Sequence, residues 1–410
     1  MDKPELQTLL ARQAIYDKEG SIFAYELLYR NNNEHFANVD NTNENDAVRA
    51  TSSVISHLFT NFDIDSILDR KCAFINFSHS DLIQKIPKLL PKNRIMIEVL
   101  ETTIINHALI SNLMELHAEG YKIALDDFIF RAELIPLIAI ADFIKIDVLN
   151  QTEQDIEVQL NHLKGYKGKL LAEKIDNKEQ FNRCMDLGFD YFQGFFLNKP
   201  DQLQGQIITE NKIHILRVMA ELNREDLSMK ELESMILQIP KLSYRILRIS
   251  NSVYYYSRKK NDSLSDALFH LGLLKIRSWT MLILLASTDD ASPDLLARTL
   301  IRANMCEALA NAIKYPKPHE AYTVGIFSTL DGMLNESMPS LLAKIQLSEP
   351  FNQALLHYEG DLGKLLKCAI DYEQANFNAI DCSLVDTSQL TRFYLQGIDY
   401  ANTILQSIIH

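Results

Sequence analysis

No two of the five cysteines stand in a Cys-x-x-Cys pair. That removes the common redox and zinc spacings, and the thiols read as reduced, packed side chains of a cytoplasmic protein. Proline (11) and glycine (13) are scarce in 410 residues, which excludes collagen-like and disordered chains. Long apolar runs are missing as well. The most apolar stretch, Trp279–Ser287, is far too short to span a bilayer, and the N-terminus lacks the basic-then-apolar pattern of a signal peptide. Positive charge is in deficit, with 41 Lys+Arg against 54 Asp+Glu and a net charge of −13, so nonspecific nucleic-acid binding is disfavoured. A soluble cytoplasmic protein without a membrane segment is expected.

What is present is apolar residue in quantity, 47% of the chain, enough for substantial cores, in a length that predicts two domains. The acid is uneven. Residues 205–410 hold 20 Lys+Arg and 23 Asp+Glu, which leaves 21 and 31 in residues 1–204, a net charge of −3 against −10. An acidic first half serves solubility, or it gathers carboxylates to hold metal.

Between residues 9 and 200, short β-rich runs alternate with amphipathic segments. The expected strands are Leu10–Tyr16, Ile22–Tyr29, Ala73–Phe77, Ile95–Leu100, Lys122–Asp126, Phe143–Asp147, Leu170–Glu173 and Tyr191–Phe196. Ile105, Leu109, Leu113 and Leu116 recur at helical spacing, and Gly120 stands where a helix end favours a left-handed residue. Asp176 with Glu179 reads as a capping box. Eight strands alternating with helices predict a parallel (β/α)₈-type barrel whose first two strands pair irregularly. Gln202–Gln206 reads as a polar joint, and residues 31–46 as a polar loop. From Ile207 onward the periodicity is almost wholly helical, so residues 1–204 and 205–410 are expected to be a barrel and an all-helical domain.

In a parallel barrel, functional groups sit where strands end. The expected strand ends carry Glu26, Asn76, Glu98 with Glu101 just beyond, Asp126 with Asp127, Lys145 with Asp147, Glu173, and Gln193. Burying so many carboxylates unpaired costs several kcal/mol each, and divalent cations would relieve that repulsion. Carboxylate and amide oxygens suit Mg²⁺ or Mn²⁺. Asp126 and Asp127 can each serve a different ion of a two-metal pair, which would activate water for in-line attack on phosphorus. Singly, each of these residues reads as a cap or a rim residue, and Lys145 equally as an ion-pair partner of Glu98 or Asp126. The set is what points to chemistry.

With those residues in place, the first half resembles an EAL domain, the barrel family that hydrolyses cyclic di-GMP to the linear dinucleotide with Mg²⁺ or Mn²⁺. "YELLYR" is similar to the family's E-x-L-x-R signature, "AEKI" to its A-E-G-V-E, and "QGFFLNKP" to its closing segment with Lys199 and Pro200. The resemblance implies that Glu26, Asn76, Glu98 and Asp126 hold a first metal and Asp127 a second. It implies Lys145 beside the attacking water, Glu173 as general base or ligand, and Arg30 and Gln193 in substrate binding. Glu101 resembles the glutamate that anchors the loop after the Asp pair. That loop departs from the family: "FIFRAELI" stands in place of the glycine-rich F-G-T-G-Y-S-S, and Asp176 replaces a glutamate. Glycine permits left-handed turns that Phe130, Arg131 and Glu133 cannot adopt cheaply.

The second half resembles the all-helical HDOD domain, on "LSYRILRISNSVYYY" and "SLSDALFHLGLLKIRSWTMLI", with Asn251–Ser252 and Leu271–Gly272 at the signature turns. Catalytic relatives of that fold need a His–Asp dipeptide for metal, and none of the 11 histidines precedes an aspartate. Ser328 and Thr329 stand there instead, and no metal is expected. His270, His319 and His357 read as packing or surface residues. Tyr254, Tyr255 and Tyr256 with Arg258, Lys259 and Lys260 form a basic-aromatic stretch that suits core packing, a protein partner or, less well in an acidic domain, nucleic acid. Three functions stay open: a phosphodiesterase with two metals per barrel, a cyclic di-GMP-binding effector, and a protein scaffold. Homodimerisation and a protein partner at the HDOD domain are compatible with each. The resemblance further implies bacterial signalling in motility or biofilm formation.

Overall fold

The computed structural model describes residues 8–31, 67–149, 151–194, 221, 226–237, 240–251, 263–285, 293–334, 336–345, 347–381 and 385–409. The chain divides into two compact units, Met1–Asn198 and Lys199–His410. The expected joint at 204/205, the polar loop, Lys199–Pro200 and the tyrosine-rich stretch from Ser252 to Asp262 lie outside the described residues, apart from Asn31 at a strand end.

The first unit is a closed barrel of eight strands in sequence order. They are β1 (Thr8–Tyr16), β2 (Ile22–Asn31), β3 (Cys72–Phe77), β4 (Ile95–Val99), β5 (Lys122–Leu125), β6 (Phe143–Asp147), β7 (Lys169–Glu173) and β8 (Tyr191–Phe192). β1 runs antiparallel to both β2 and β8, while β2 to β8 are mutually parallel. The irregularity expected of the first pair is this hairpin. Residues 17–21 are too few for a crossover, which needs about a dozen. Asp17 closes the turn instead, its Oδ1 accepting from the backbone N of Ser21 at 2.7 Å, with Gly20 at φ +78°.

Helices α1 (His79–Ile83), α2 (His107–Ala118), α3 (Ile135–Ile138), α4 (Glu153–His162) and α5 (Lys178–Asp186) follow β3 to β7 in turn. Leu109, Leu113 and Leu116 are the buried face of α2, and Gly120 closes its end at φ +99°. The cap of α5 lies one residue beyond the expected Asp176/Glu179 box. Asn177 accepts from the N of Gln180, and the Gln180 side chain accepts from the N of Asp176. Asp176 and Asn177 are both cap-forming residues, so sequence alone did not separate the two registers.

Ile15, Ala24, Phe74, Met96, Ala124, Phe143 and Leu171 fill the barrel interior as one apolar cluster, with Tyr191 packed against it. Full burial of such side chains contributes about 1.5–3 kcal/mol each. This layer sets the height from which the polar side chains above it project.

The second unit is helical among its described residues: α6 (Met229–Leu237), α7 (Pro240–Ser250), α8 (Leu264–Leu271), α9 (Leu273–Leu285), α10 (Pro293–Ala312), α11 (Pro318–Phe327), α12 (Leu330–Leu334), α13 (Met338–Ile345), α14 (Glu349–His357), α15 (Gly360–Glu373) and α16 (Thr387–Ile409). Gly272, at φ +78°, breaks one long apolar stripe into α8 and α9. α10 packs against α11, α15 and α16. At the α10–α11 crossing a Cβ on Gly325 would lie 2.5 Å from Ala303 Cα, so the two backbones touch. No described helix is long and apolar enough to cross a membrane.

Candidate active site of the barrel

Strand side chains alternate between faces, so residues two apart share one. Two positions along from Ala24, Phe74, Met96, Ala124, Phe143, Leu171 and Tyr191 stand Glu26, Asn76, Glu98, Asp126, Lys145, Glu173 and Gln193. The apolar layer is thus followed by a wholly polar one at the C-terminal ends of the parallel strands, and all seven of its members are residues singled out from the sequence. On antiparallel β1 the equivalent step from Ile15 gives Gln13, whose register partner is Glu26. Sequence reasoning missed Gln13. The signal was available, because it shares the inward face with Ile15.

Lys145 is the hub of the layer and is fully buried. Its Nζ lies 2.6 Å from Glu98 Oε1, 2.7 Å from Asp126 Oδ1, 2.7 Å from Glu173 Oε1 and 3.5 Å from Glu26 Oε2. Glu26 is also held by two amides. Gln193 Nε2 donates to its Oε2 at 2.7 Å and Asn76 Nδ2 to its Oε1 at 3.4 Å. Gly194 lets Gln193 reach this place, since a Cβ there would fall 2.2 Å from Ile175 O.

With every carboxyl ionised, four carboxylates against one ammonium would leave a formal excess of three negative charges in a largely buried site. Burial pushes the Glu173 carboxyl up to about 8 and, despite Lys145, the Glu98 carboxyl well above its ordinary value. Burial alone would lower the Lys145 ammonium, but the surrounding carboxylates outweigh it and hold it well above the lysine range. Glu98 Oε2, Asn76 Oδ1 and Gln193 Oε1 are buried and meet no hydrogen-bond donor among the described residues. Every one of these is an oxygen lone pair. The layer lacks positive charge, so its donor set fits a hard divalent cation. As the side chains stand, Lys145 occupies the point of convergence, and no three His, Cys, Asp or Glu among the described residues form a ready metal cage.

Asp126 and Asp127 part company at a turn. β5 ends at Leu125, before the pair. Asp126 N donates to Val99 O at 3.0 Å, Asp127 takes φ +40°, and Phe128 N donates to Lys145 O at 2.9 Å. A left-handed turn, rather than strand pleating, separates the two carboxylates. Asp127 leaves the layer and faces Lys174, whose Nζ is 3.4 Å from Asp127 Oδ1 and 2.6 Å from Asp147 Oδ2. Lys174 was also missed. Its signal was its place in "AEKI", where the resembled pattern has glycine; it stands at φ +57°.

Glu101 is exposed, and the loop after Asp127 is tied to its carbonyl oxygen, which accepts from Arg131 Nη2 at 3.0 Å. Phe130 stacks on His162, centroids 4.2 Å apart, and its N donates to Gln159 Oε1 at 3.2 Å. The glycine-free loop is therefore pinned to α4. A cleft of about 240 Å³, lined in part by Val99, Leu125, Asp126, Asp127, Phe128 and Leu134, opens beside the carboxylates. Arg30 pairs with Leu9 in the β1–β2 ladder, and its side chain lies outside the described set.

In the helical unit, Ser328 and Thr329 are engaged by neighbours. Arg302 Nη1 donates to Ser328 Oγ at 2.9 Å, and the Thr329 and Thr299 hydroxyls bond at 2.7 Å. Arg302 and Arg298 both pair with Glu373, the Arg302 Nε–Glu373 Oε2 distance being 2.9 Å. Cys184 and Cys306 are buried thiols, pushed by burial up to about 11 and about 12. Neither is poised as a nucleophile.

Residues 13–200 match the EAL domain and residues 212–362 the HDOD domain. The chain is 28% identical over 98% of its length to the whole of the uncharacterized protein YuxH of Bacillus subtilis. It is also 28% identical, over 91% of its length and 87% of the relative, to the cyclic di-GMP phosphodiesterase CdgJ of Vibrio cholerae. Among solved structures it is similar to Klebsiella pneumoniae BlrP1 in a manganese/cy-diGMP complex, with 21% identity, a TM-score of 0.38, and coverage of 48% of this chain and 56% of that one. The barrel with its polar layer is an EAL domain and the helical unit that follows it in sequence is an HDOD domain, so the chain belongs to these two families in tandem.

Proposed function

We propose that the barrel hydrolyses cyclic di-GMP to linear pGpG with the help of divalent cations, Mg²⁺ or Mn²⁺. The observation that carries this reading is the largely buried layer of Glu26, Asn76, Glu98 and Asp126, short of positive charge and with unpartnered oxygens. The kinship with CdgJ over both domains names the substrate class.

Glu26, Asn76, Glu98 and Asp126 would hold the cation. When bound it supplies a Lewis acid for a phosphoryl oxygen and acidifies a water. Glu173, raised to about 8 by burial, has the neutral-range pKa that suits a proton acceptor for the attacking water. Lys145 keeps its proton and fixes the directions of four carboxylates. Gln193 and Asn76 set the rotamer of Glu26 through its two oxygens. Water adds to phosphorus, one ribose P–O bond breaks, and the departing ribose oxygen takes a proton. Arg30 is assigned to a phosphate of the dinucleotide, and the cleft beside Asp126 to its entry. The helical unit serves as a partner-binding domain.

A second reading, capture of cyclic di-GMP without turnover, is favoured by one feature: the loop after Asp127 is pinned through Phe130 and Arg131. Incubation of the pure chain with cyclic di-GMP and Mn²⁺, followed by chromatography, separates the readings. Linear product that disappears in Glu26→Ala supports hydrolysis. Calorimetric binding without product supports capture, and neither signal rejects both.

A further inference from the structure

Lys174 stands immediately after Glu173, at the end of β7, with its backbone in the left-handed region at φ +57°. A non-glycine residue there is strained, because its Cβ crowds the following carbonyl oxygen. From this position its side chain reaches across the end of the neighbouring strand β6. Its Nζ bonds Asp147 Oδ2 at 2.6 Å and lies 3.4 Å from Asp127 Oδ1. Asp127 is itself left-handed, at φ +40°, and is turned toward Lys174 rather than into the polar layer. Two successive carboxylates thus meet two different ammonium groups, Asp126 with Lys145 and Asp127 with Lys174.

The two places differ in charge. Around Lys145 four carboxyl groups, once all are ionised, leave an excess of three negative charges, and unpartnered oxygens stand beside them. Around Lys174 two carboxylates leave an excess of one. A cation tethered to the chain is present at high effective concentration, and a divalent ion between Asp127 and Asp147 would have to displace it. At the inner place the charge shortage remains even with Lys145 bound.

We propose that the Lys174 ammonium takes the place of a second divalent cation, so that the barrel binds one such ion, at Glu26, Asn76, Glu98 and Asp126, while Asp127 and Asp147 serve Lys174. This rests on the cation-binding reading of the polar layer. It changes the expected stoichiometry from two ions to one and turns Asp127 from a metal ligand into a lysine partner.

The test uses Mn²⁺ alone, with no nucleotide, on the full chain. Equilibrium dialysis is expected to give one equivalent for the wild type and two for Lys174→Gly, which also removes the backbone strain. The second equivalent should appear at Mn²⁺ concentrations at least tenfold below any at which the wild type exceeds one, and give the electron-spin signal of a coupled Mn²⁺ pair. Adding Asp127→Asn should return the count to one. Lys174→Met, which keeps the side-chain bulk, serves as the second variant and should also gain the second equivalent. Two equivalents in the wild type, or one in the wild type and in both variants, overturns the proposal while sparing the cation site. No Mn²⁺ bound by any form overturns the cation site and the proposal together.

Discussion

The two units each bury an ionic cluster, and the clusters have opposite balance. In the barrel, one lysine faces four carboxylates and three oxygen acceptors remain unpartnered. In the helical unit, one carboxylate, Glu373, lies between Arg298 and Arg302. Burial alone would raise the Glu373 carboxyl, but the two guanidinium groups outweigh it and hold it below its ordinary value. Burial wins at Glu98 and Glu173, because one ammonium is shared among too many acids. Burying an ion costs several kcal/mol unless its partners compensate. The barrel leaves that compensation incomplete in a way a cation completes, whereas the guanidinium groups have already supplied it in the helical unit. Arg302 also donates to Ser328 Oγ.

The strongest way to break this contrast is Lys145→Met. It removes the hub from three buried carboxyl groups and the half-buried Asp126, and urea unfolding should show the barrel losing about 5 kcal/mol. Turnover should disappear with it. Glu373→Gln strands two arginines and should cost the helical unit about 3 kcal/mol by the same measurement, leaving Mn²⁺ binding by the barrel unchanged. Equal sensitivity of Mn²⁺ binding to the two substitutions would erase the distinction.

The clusters should also respond to pH in opposite directions. Glu173 titrates higher in the folded chain, about 8 against an unfolded 4.5. Its contribution to metal-free stability is therefore present in full below the unfolded value and is lost as pH rises through about 8. Glu373 titrates lower when folded, so its contribution is present above the unfolded value and is lost as pH falls through the folded one. Denaturant unfolding of the metal-free chain at several pH values, read separately for each unit, checks both signs. Glu173→Gln should flatten the alkaline limb. The smallest effect is expected for Glu101→Gln, within about 0.5 kcal/mol, because the loop is tied to its carbonyl oxygen rather than its carboxylate.

Much of the barrel was legible in the sequence for one reason. Each of its parallel strands is an apolar run with a polar residue near its C-terminal end, and the period of two carries that residue to a common height. Glu26, Asn76, Glu98, Lys145 and Glu173 could be read that way because a polar residue inside an apolar strand run is conspicuous. Lys174 and Gln13 could not, since their significance depends on a left-handed backbone and on cross-strand register. Arg302 and Glu373 are 71 residues apart, and nothing in either local pattern announces the other. The i, i+4 spacing of Arg298 and Arg302 within an apolar helix was the only trace.

The central claim is that the polar layer of the barrel binds a divalent cation and the helical cluster does not. Calorimetric titration of the full chain with Mn²⁺ near neutral pH, in two buffers of different ionisation enthalpy, tests it most directly. Binding should be accompanied by proton release as Glu98 and Glu173 ionise, abolished by Glu98→Gln with Asp126→Asn and untouched by Arg302→Met. Binding that survives the double substitution, or that releases no protons, would contradict it.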